Sequence, residues 1–194
     1  MRTTRATAHV PRAQAAARYV ALGIASLLLV QFPLAAQTAF PEMAAMTDTS
    51  RARLQPLKWL VGEWVGPATG SNGGQSFTVT QHEKVIEGAN GTVLLIQGRG
   101  AMGERTVFEA AGLISYDVGS RQFKWVSSGG TGHLGVSQAQ VRGDTLVWTA
   151  PSGPSSRTRY TIWRSPKGEW REVGEATQDD KTWTKTFDMT LVKK

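Results

Sequence analysis

The stretch KTWTKTF at residues 181–187 alternates apolar and polar side chains, and the same alternation recurs at residues 77–80 (FTVT) and 121–126 (RQFKWV). A period of two is typical of a β-strand with one face toward solvent and one toward a core. About ten such runs follow residue 62, separated by turns rich in Gly, Asn, Asp or Pro. Because closure removes exposed sheet edges, the sequence predicts an all-β fold: an antiparallel up-and-down β-barrel of about ten strands with a short N-terminal helix.

The first 36 residues have the order of a secretory signal peptide. A basic front without acidic residues precedes an apolar run at residues 19–34, and the small residues Ala35 and Ala36 follow. We expect cleavage after Ala36 and a periplasmic or secreted protein without stable membrane insertion. The alternative is an uncleaved membrane anchor, although the apolar run is shorter than the ~20 residues that a spanning helix needs.

Two further segments follow the predicted leader. Residues 37–51 are polar and rich in Ala, Met and Thr, so we expect a flexible spacer. Residues 52–194 form the predicted barrel domain. It is entered through a short helix that begins near Asp48–Ser50 and ends near Gly62, because Leu54, Leu57 and Leu60 have near-helical spacing.

Composition excludes several classes of function. The chain carries 22 basic and 15 acidic residues, but four of the basic ones belong to the leader, so the mature protein has a net charge of only about +3. No basic cluster interleaved with aromatic residues stands out, and we expect no nucleic-acid partner. There is no Cys, and His82 and His133 are the only histidines after the leader. The sequence therefore predicts no disulfide, no metal site and no cofactor.

The glycines at 98, 100 and 103 spell G-x-G-x-x-G after a predicted strand. This pattern binds dinucleotides only where a helix follows the glycines within a parallel sheet. Residues 105–117 have strand character instead. The glycines are therefore interpreted as a turn and a sharp bend of the barrel.

Four stretches resemble a known family: residues 57–66 (LKWLVGEWVG), 91–100 (GTVLLIQGRG), 109–117 (EAAGLISYD) and 170–191. They are similar to lipocalin-like (calycin) β-barrels, in particular a bacterial family catalogued as a domain of unknown function. The resemblance covers residues 54–193 and implies the barrel fold, but no activity. The haem-binding nitrobindins are a more distant likeness. Their haem-ligating His lies near the C-terminus, whereas this sequence has no His after His133.

The Gly62-Glu63-Trp64 motif opens the first strand. Trp64 is expected to plug one end of the barrel, and Gly62 to allow a close helix-to-strand turn. A cation from the last strand commonly lies over such a ring. Lys185 is the predicted partner, since it alternates with Phe187 and Met189, and a structural role is favoured over a catalytic one.

Polar residues on apolar strand faces are candidate ligand-binding groups. Alternation places them with aliphatic residues on three strands, and the aliphatic partners favour an inward orientation. Buried charges need partners, so an Arg–Glu pair inside the cavity is expected, as part of either a polar handle for a ligand or a structural ion-pair network. The polar candidates are Gln81, Glu83, Gln97, Arg99 and Glu109, and the aromatic candidates for the cavity wall are Trp125, Trp148 and Tyr160.

Three functional hypotheses remain open at this point. The first is an exported, non-enzymatic barrel that binds a small, largely apolar ligand. The second is an enzyme of the same fold in which Glu83 or Glu109 acts as a general acid or base. The third is a barrel filled by its Trp side chains that serves as a structural or interaction module. An open cavity that contains a carboxyl group with a raised pKa would favour the enzyme.

Overall fold

A computed structural model of the protein describes residues 41–72, 74–130 and 132–194; the predicted leader and the start of the predicted spacer lie outside them. In this range the chain forms one α-helix, two short 3₁₀ helices and ten strands. The helices are α1 (Pro41–Leu54) and the 3₁₀ segments Gln55–Leu60 and Ala89–Gly91. The strands are β1 (Gly62–Asn72), β2 (Gln75–Gly88), β3 (Val93–Met102), β4 (Arg105–Asp117), β5 (Gln122–Gly129), β6 (Leu134–Arg142), β7 (Thr145–Pro151), β8 (Arg157–Arg164), β9 (Trp170–Thr177) and β10 (Thr184–Lys193).

The ten strands close into a single antiparallel barrel. Each strand pairs with its neighbours in sequence, and β1 pairs with β10 to complete the ring. The predicted fold class is therefore confirmed. Period-two patterning produces this fold because each strand buries one face inside the barrel and exposes the other.

The helical segment begins earlier than the sequence suggested. α1 starts at Pro41, so residues 41–51 of the predicted spacer are helical. The helix is fixed by packing against the barrel: the Ser50 hydroxyl donates to the carbonyl of Tyr116 over 3.1 Å, and Leu54 is fully buried. Within the described residues, no helix has the length and apolar character needed to cross a bilayer.

The two ends of the barrel differ. Leu57 and Leu60 of the 3₁₀ segment are buried in the core and close the end at which β1 begins. The opposite end carries the connections β1–β2, β3–β4, β5–β6, β7–β8 and β9–β10, and no helix of the described chain covers it. We call these the closed end and the open end.

Three Trp side chains pack together at the closed end. Trp59, Trp64 and Trp170 meet edge to face, with ring centroids 5.9–6.1 Å apart. The Trp64 indole N–H donates to the carbonyl of Leu60 over 2.7 Å. Trp64 is 2 % exposed, and Gly62, which has a positive φ, forms the turn that leads from the 3₁₀ segment into β1.

The cation over Trp64 is Lys193 rather than Lys185. The Lys193 ammonium lies 5.3 Å from the centroid of the Trp64 ring, and Gly62 makes room for it, since a Cβ at position 62 would lie 2.6 Å from Lys193 Cε. Lys185 lies near the open end, where it contacts Asp188 over 3.0 Å. A β-bulge between Lys185 and Phe187 reverses the alternation and turns Lys185 outward.

Candidate functional site

A cavity of about 620 Å³ lies inside the barrel toward the open end. Its wall is built from the inward faces of strands on all sides, and most of the lining is apolar, including Val79, Ile96, Ile162 and Met189. This space does not fit a barrel packed solid by Trp side chains. Cavities of this size and composition are typical of small-molecule sites.

Two polar side chains of β2 face this cavity, as their alternation with Val79 and Val85 predicts. The Gln81 amide donates to the Glu83 carboxylate over 2.7 Å. Burial raises the pKa of Glu83 to about 7, although the hydrogen bond from Gln81 opposes the shift. The protonated form of this carboxyl group therefore persists to a much higher pH than in an exposed Glu.

Glycines of β3 provide the space that these two side chains occupy. Gly98 is the cross-strand partner of Glu83, and a Cβ there would lie 2.7 Å from Glu83 Oε1. A Cβ at Gly100 would lie 3.0 Å from Gln81 Oε1. Of the G-x-G-x-x-G pattern, only Gly103 has a positive φ, at the β3–β4 turn. The first two glycines thus accommodate polar side chains inside the barrel.

Glu172 of β9 is a second carboxyl group in the same cavity, and the sequence reasoning missed it. It lines the cavity and is half-buried. Burial, and next the negative charge of Glu83, raise the pKa of Glu172 to about 8. The alternation of Trp170, Glu172 and Gly174 along β9 was the signal that could have identified it.

The three aromatic side chains predicted for the cavity wall lie together in one stack. The ring centroids of Trp125 and Trp148 are 4.7 Å apart, and those of Trp148 and Tyr160 are 4.4 Å apart, with planes within 18°. Trp125 and Trp148 belong to β5 and β7, which β6 separates. They meet because β6 presents only the small residues Ser137 and Ala139 between them.

The indole N–H groups in this wall lack acceptors. Trp125, Trp148 and Trp170 have buried Nε1 atoms with no hydrogen-bond partner among the residues that the structure describes. The Trp170 N–H is close enough to Glu172 to lower its pKa slightly, but it does not reach hydrogen-bond geometry. Buried donors without partners are uncommon in folded proteins, so these groups are available to an occupant of the cavity.

Three other predicted site residues face outward, and the expected inward orientation is wrong for them. Gln97, Arg99 and Glu109 are exposed, and Arg99 and Glu109 are cross-strand partners on the outer surface. The predicted Arg–Glu pair is therefore not inside the cavity. The inward faces of β3 and β4 contain the small residues Gly98, Gly100, Ala110 and Gly112 beside larger aliphatics. In the sequence, the outward faces therefore look more apolar than the inward ones.

The two described histidines stand apart from the cavity. His82 lies on the outer face of β2 opposite Arg99, and His133 is exposed in the β5–β6 connection. Burial, and next the charge of Arg99, lower the pKa of His82. In the described ranges, no three His, Asp or Glu side chains converge in a way that suits a metal ion.

Comparison with known proteins identifies the fold but no family. No family model and no curated protein matches the chain, so membership of the family of unknown function stays a prediction. Several solved structures have a similar fold, and two of them illustrate it. Rv2717c from M. tuberculosis is 15% identical, with 73% of this chain and 96% of that chain covered and a TM-score of 0.54. The S-type phycobiliprotein lyase CPES from Guillardia theta is 12% identical, with 78% and 96% covered and a TM-score of 0.53.

Proposed function

We propose that this protein binds a small, largely apolar ligand inside its barrel. The observation that carries the proposal is the stack of Trp125, Trp148 and Tyr160 along a cavity of about 620 Å³, with Glu83 and Glu172 in the same cavity. An apolar wall with a few buried polar groups is the usual arrangement of a ligand site.

The rim of the open end supports this proposal. Met102, Val107 and Phe108 line the cavity where β3 meets β4, yet they are 45%, 38% and 49% exposed. Apolar side chains in this position favour entry of an apolar compound, because contact with them removes apolar surface from water. The ligand therefore enters between the β3–β4 and β5–β6 connections.

The test is binding of Nile red, a neutral apolar dye, to the purified protein. We expect the dye to bind and to quench the intrinsic Trp fluorescence. Trp148→Ala should weaken binding about tenfold, since it removes the central ring of the stack. Trp163→Ala is the matched control, because Trp163 lies on the outer face beside Arg171. Failure of the dye to bind, or equal effects of the two substitutions, would contradict the proposal.

A second candidate function is catalysis in the same cavity. Two carboxyl groups with pKa values of about 7 and 8 are suited to proton transfer near neutral pH. Glu83 or Glu172 would act as the general acid or base, whereas the earlier candidate Glu109 is exposed on the outer surface. That a phycobiliprotein lyase has a similar fold supports keeping this alternative.

The catalytic alternative has its own test. Compounds that stay bound to the protein purified from its host would be identified by native mass spectrometry and incubated with fresh protein. Conversion that is abolished in both Glu83→Gln and Glu172→Gln, with binding retained, would support an enzyme. Binding without conversion by the wild type would support a carrier.

We also propose that the barrel acts outside the cytoplasm, with residues 1–36 removed and residues 52–194 as the functional domain. The basic front and apolar run of the leader support this proposal. N-terminal sequencing of the exported protein should begin near Gln37. A mature protein that still begins at Met1 and pellets with membranes would contradict it.

A further inference from the structure

Resting on the proposed function, we propose that the cavity ligand is a flat aromatic compound with a positively charged nitrogen, which is held between Glu83, Glu172 and the stack of Trp125, Trp148 and Tyr160. The class is thus an aromatic organic cation. Three features of the cavity favour such a ligand: its acidic groups, its aromatic wall and its unpaired donors.

The cavity contains acidic groups without a basic partner. Glu83, Glu172 and Tyr160 are the titratable groups among its described lining residues, and no Lys, Arg or His is among them. The nearby cations lie on other surfaces: Lys193 over Trp64 at the closed end, and Arg171 in an ion pair with Asp188 over 3.0 Å. A buried carboxylate without a protein cation is stabilised by a cation from the ligand.

The aromatic wall favours the same chemistry. Trp125, Trp148 and Tyr160 stack face to face, so Trp148 has a ring on each side, and the ring faces that the stack itself leaves uncovered are the outer faces of Trp125 and Tyr160. Indole and phenol faces attract organic cations, and the attraction is stronger where water is excluded. A flat ring system that extends the stack at one of these outer faces gains dispersion contacts as well, whereas a compact inorganic cation would not.

The unpaired indole donors add a second requirement. Trp125 is only 6% exposed, yet its N–H has no acceptor in the described chain, and the Trp148 N–H likewise has none. A ring nitrogen or carbonyl oxygen at the edge of the ligand would accept from one of them. We therefore assign a heteroaromatic cation, with the basic nitrogen toward the carboxyl groups and an acceptor toward the indoles.

Such a ligand would displace a proton when it binds. The pKa values of Glu83 and Glu172, about 7 and 8, keep one or both carboxyl groups protonated in the empty cavity at neutral pH. Burial, and next Glu172, raise the pKa of Tyr160, so its phenol stays neutral. An adjacent cation favours the ionised carboxylate, so about one proton should leave for each cation bound. Affinity should accordingly rise with pH until both carboxyl groups are ionised.

The experiment compares three probes on the full purified protein. The 9-aminoacridinium ion is a flat heteroaromatic cation, anthracene-9-carboxylate is an anion with the same three-ring outline, and Nile red is neutral. We expect the cation to bind at least about tenfold more tightly than the anion. Calorimetry in buffers with different ionisation enthalpies should show release of about one proton with the cation and none with Nile red.

Substitutions assign the effect to the carboxyl groups. Glu172→Gln and Glu83→Gln should each weaken 9-aminoacridinium binding about tenfold and change Nile red binding much less, since the dye carries no charge. Glu109→Gln is the matched control on the outer surface and should change neither. Circular dichroism would verify that each variant is folded.

The outcomes separate this inference from the proposed function. If Nile red or the anion binds as tightly as the cation, or if the cation binds without releasing a proton, the assignment of a cationic ligand is wrong and the apolar binding site stands. If none of the three probes binds to the folded protein, both proposals are wrong.

Discussion

Gly98 leaves the space that the carboxylate of Glu83 occupies, since a Cβ at position 98 would lie 2.7 Å from Glu83 Oε1. The two residues are cross-strand partners on β3 and β2, and both face the cavity. The absence of a side chain at 98 is therefore what allows a carboxyl group to be held there beside Gln81.

Gly98→Ala should move the Glu83 carboxylate and break its hydrogen bond from Gln81. Because that bond lowers the pKa of Glu83, its loss should raise the pKa above about 7. The flexible Glu side chain can shift, so the free energy of unfolding should fall by only about 1 kcal/mol. Carbon-13 NMR titration of the Glu carboxyl groups would measure the change. Gly135→Ala, whose nearest contact would be 3.8 Å away, is the control, and an unchanged titration of Glu83 in Gly98→Ala would contradict the assignment.

The two buried carboxyl groups should make the barrel less stable as the pH rises. Their pKa values rise from 4.5 in the unfolded chain to about 7 and 8 in the folded protein. Between pH 4.5 and about pH 8 the folded state thus binds more protons than the unfolded state. The contribution of these two groups to the free energy of unfolding is therefore most favourable below pH 4.5 and falls as the pH rises to about 8. A shift such as that of Glu83 corresponds to a loss on the order of 3 kcal/mol.

Glu172→Gln isolates this effect. Relative to the wild type, the variant should gain stability at about pH 8 and little at about pH 5. Other titrating groups, such as His82, are present in both proteins. Their contributions to the pH dependence of stability therefore cancel when the urea midpoints of the two proteins are compared. Glu109→Gln should follow the wild type at both values. A wild-type stability that rises across this range, together with no gain in Glu172→Gln, would show that Glu172 is ionised in the folded barrel.

Trp64→Ala should be the most damaging single substitution at the closed end. It removes a fully packed ring that contacts Trp59 and Trp170, and it leaves the carbonyl of Leu60 without its donor. The expected loss is about 3–5 kcal/mol in the free energy of unfolding. Thermal melting followed by circular dichroism would measure it. Melting like that of the wild type would contradict the central place of Trp64 in the core.

Lys193→Gln should cost about 0.5–1 kcal/mol, because it removes the cation from the Trp64 ring. Lys185→Gln should cost less, since its contact with Asp188 is an exposed ion pair. Urea denaturation followed by Trp fluorescence would compare the two variants. A larger loss for Lys185→Gln would restore the assignment that the sequence favoured.

Arg99→Ala should change the free energy of unfolding by less than about 0.5 kcal/mol. With an inward Arg99, the same substitution would have broken a buried ion pair at a cost of roughly 3–5 kcal/mol. The exposed position of Arg99 opposite Glu109 removes that cost. Differential scanning calorimetry distinguishes the two values readily, and a large loss would mean that β3 has the opposite register.

The alternation of apolar and polar residues was sufficient to predict about ten strands and their closure into a barrel. This prediction needs only the two-residue period of the strands and the Gly, Asn, Asp and Pro residues of the turns. It also placed Gln81 and Glu83 in the cavity, since Val79 and Val85 leave β2 with one clearly apolar face. On β3 the alternation predicted the wrong inward face, because the true inward face contains Gly98 and Gly100. Those glycines leave space for Gln81 and Glu83 of β2, and this requirement cannot be inferred from the residues of β3 alone.

The last strand shows a second kind of limit. Counting by twos from Met189 puts Lys185 on the inward face, but the bulge before Phe187 adds one residue and reverses the orientation. A bulge of this kind depends on pairing with β9 and not on the residues of β10. Glu172 was missed for a different reason: its neighbours Arg171 and Val173 do not show which face of β9 is buried, and Trp170 alone marks the inward face.

The small inward residues of β6 have an optical consequence. Because Ser137 and Ala139 leave a gap, the indoles of Trp125 and Trp148 lie 4.7 Å apart with their planes 18° from parallel. Two indole chromophores at this separation share their excitation, so the barrel should carry an exciton couplet in its ultraviolet circular dichroism. Any molecule that contacts the pair changes that couplet. The protein thus contains its own label-free reporter of cavity occupancy.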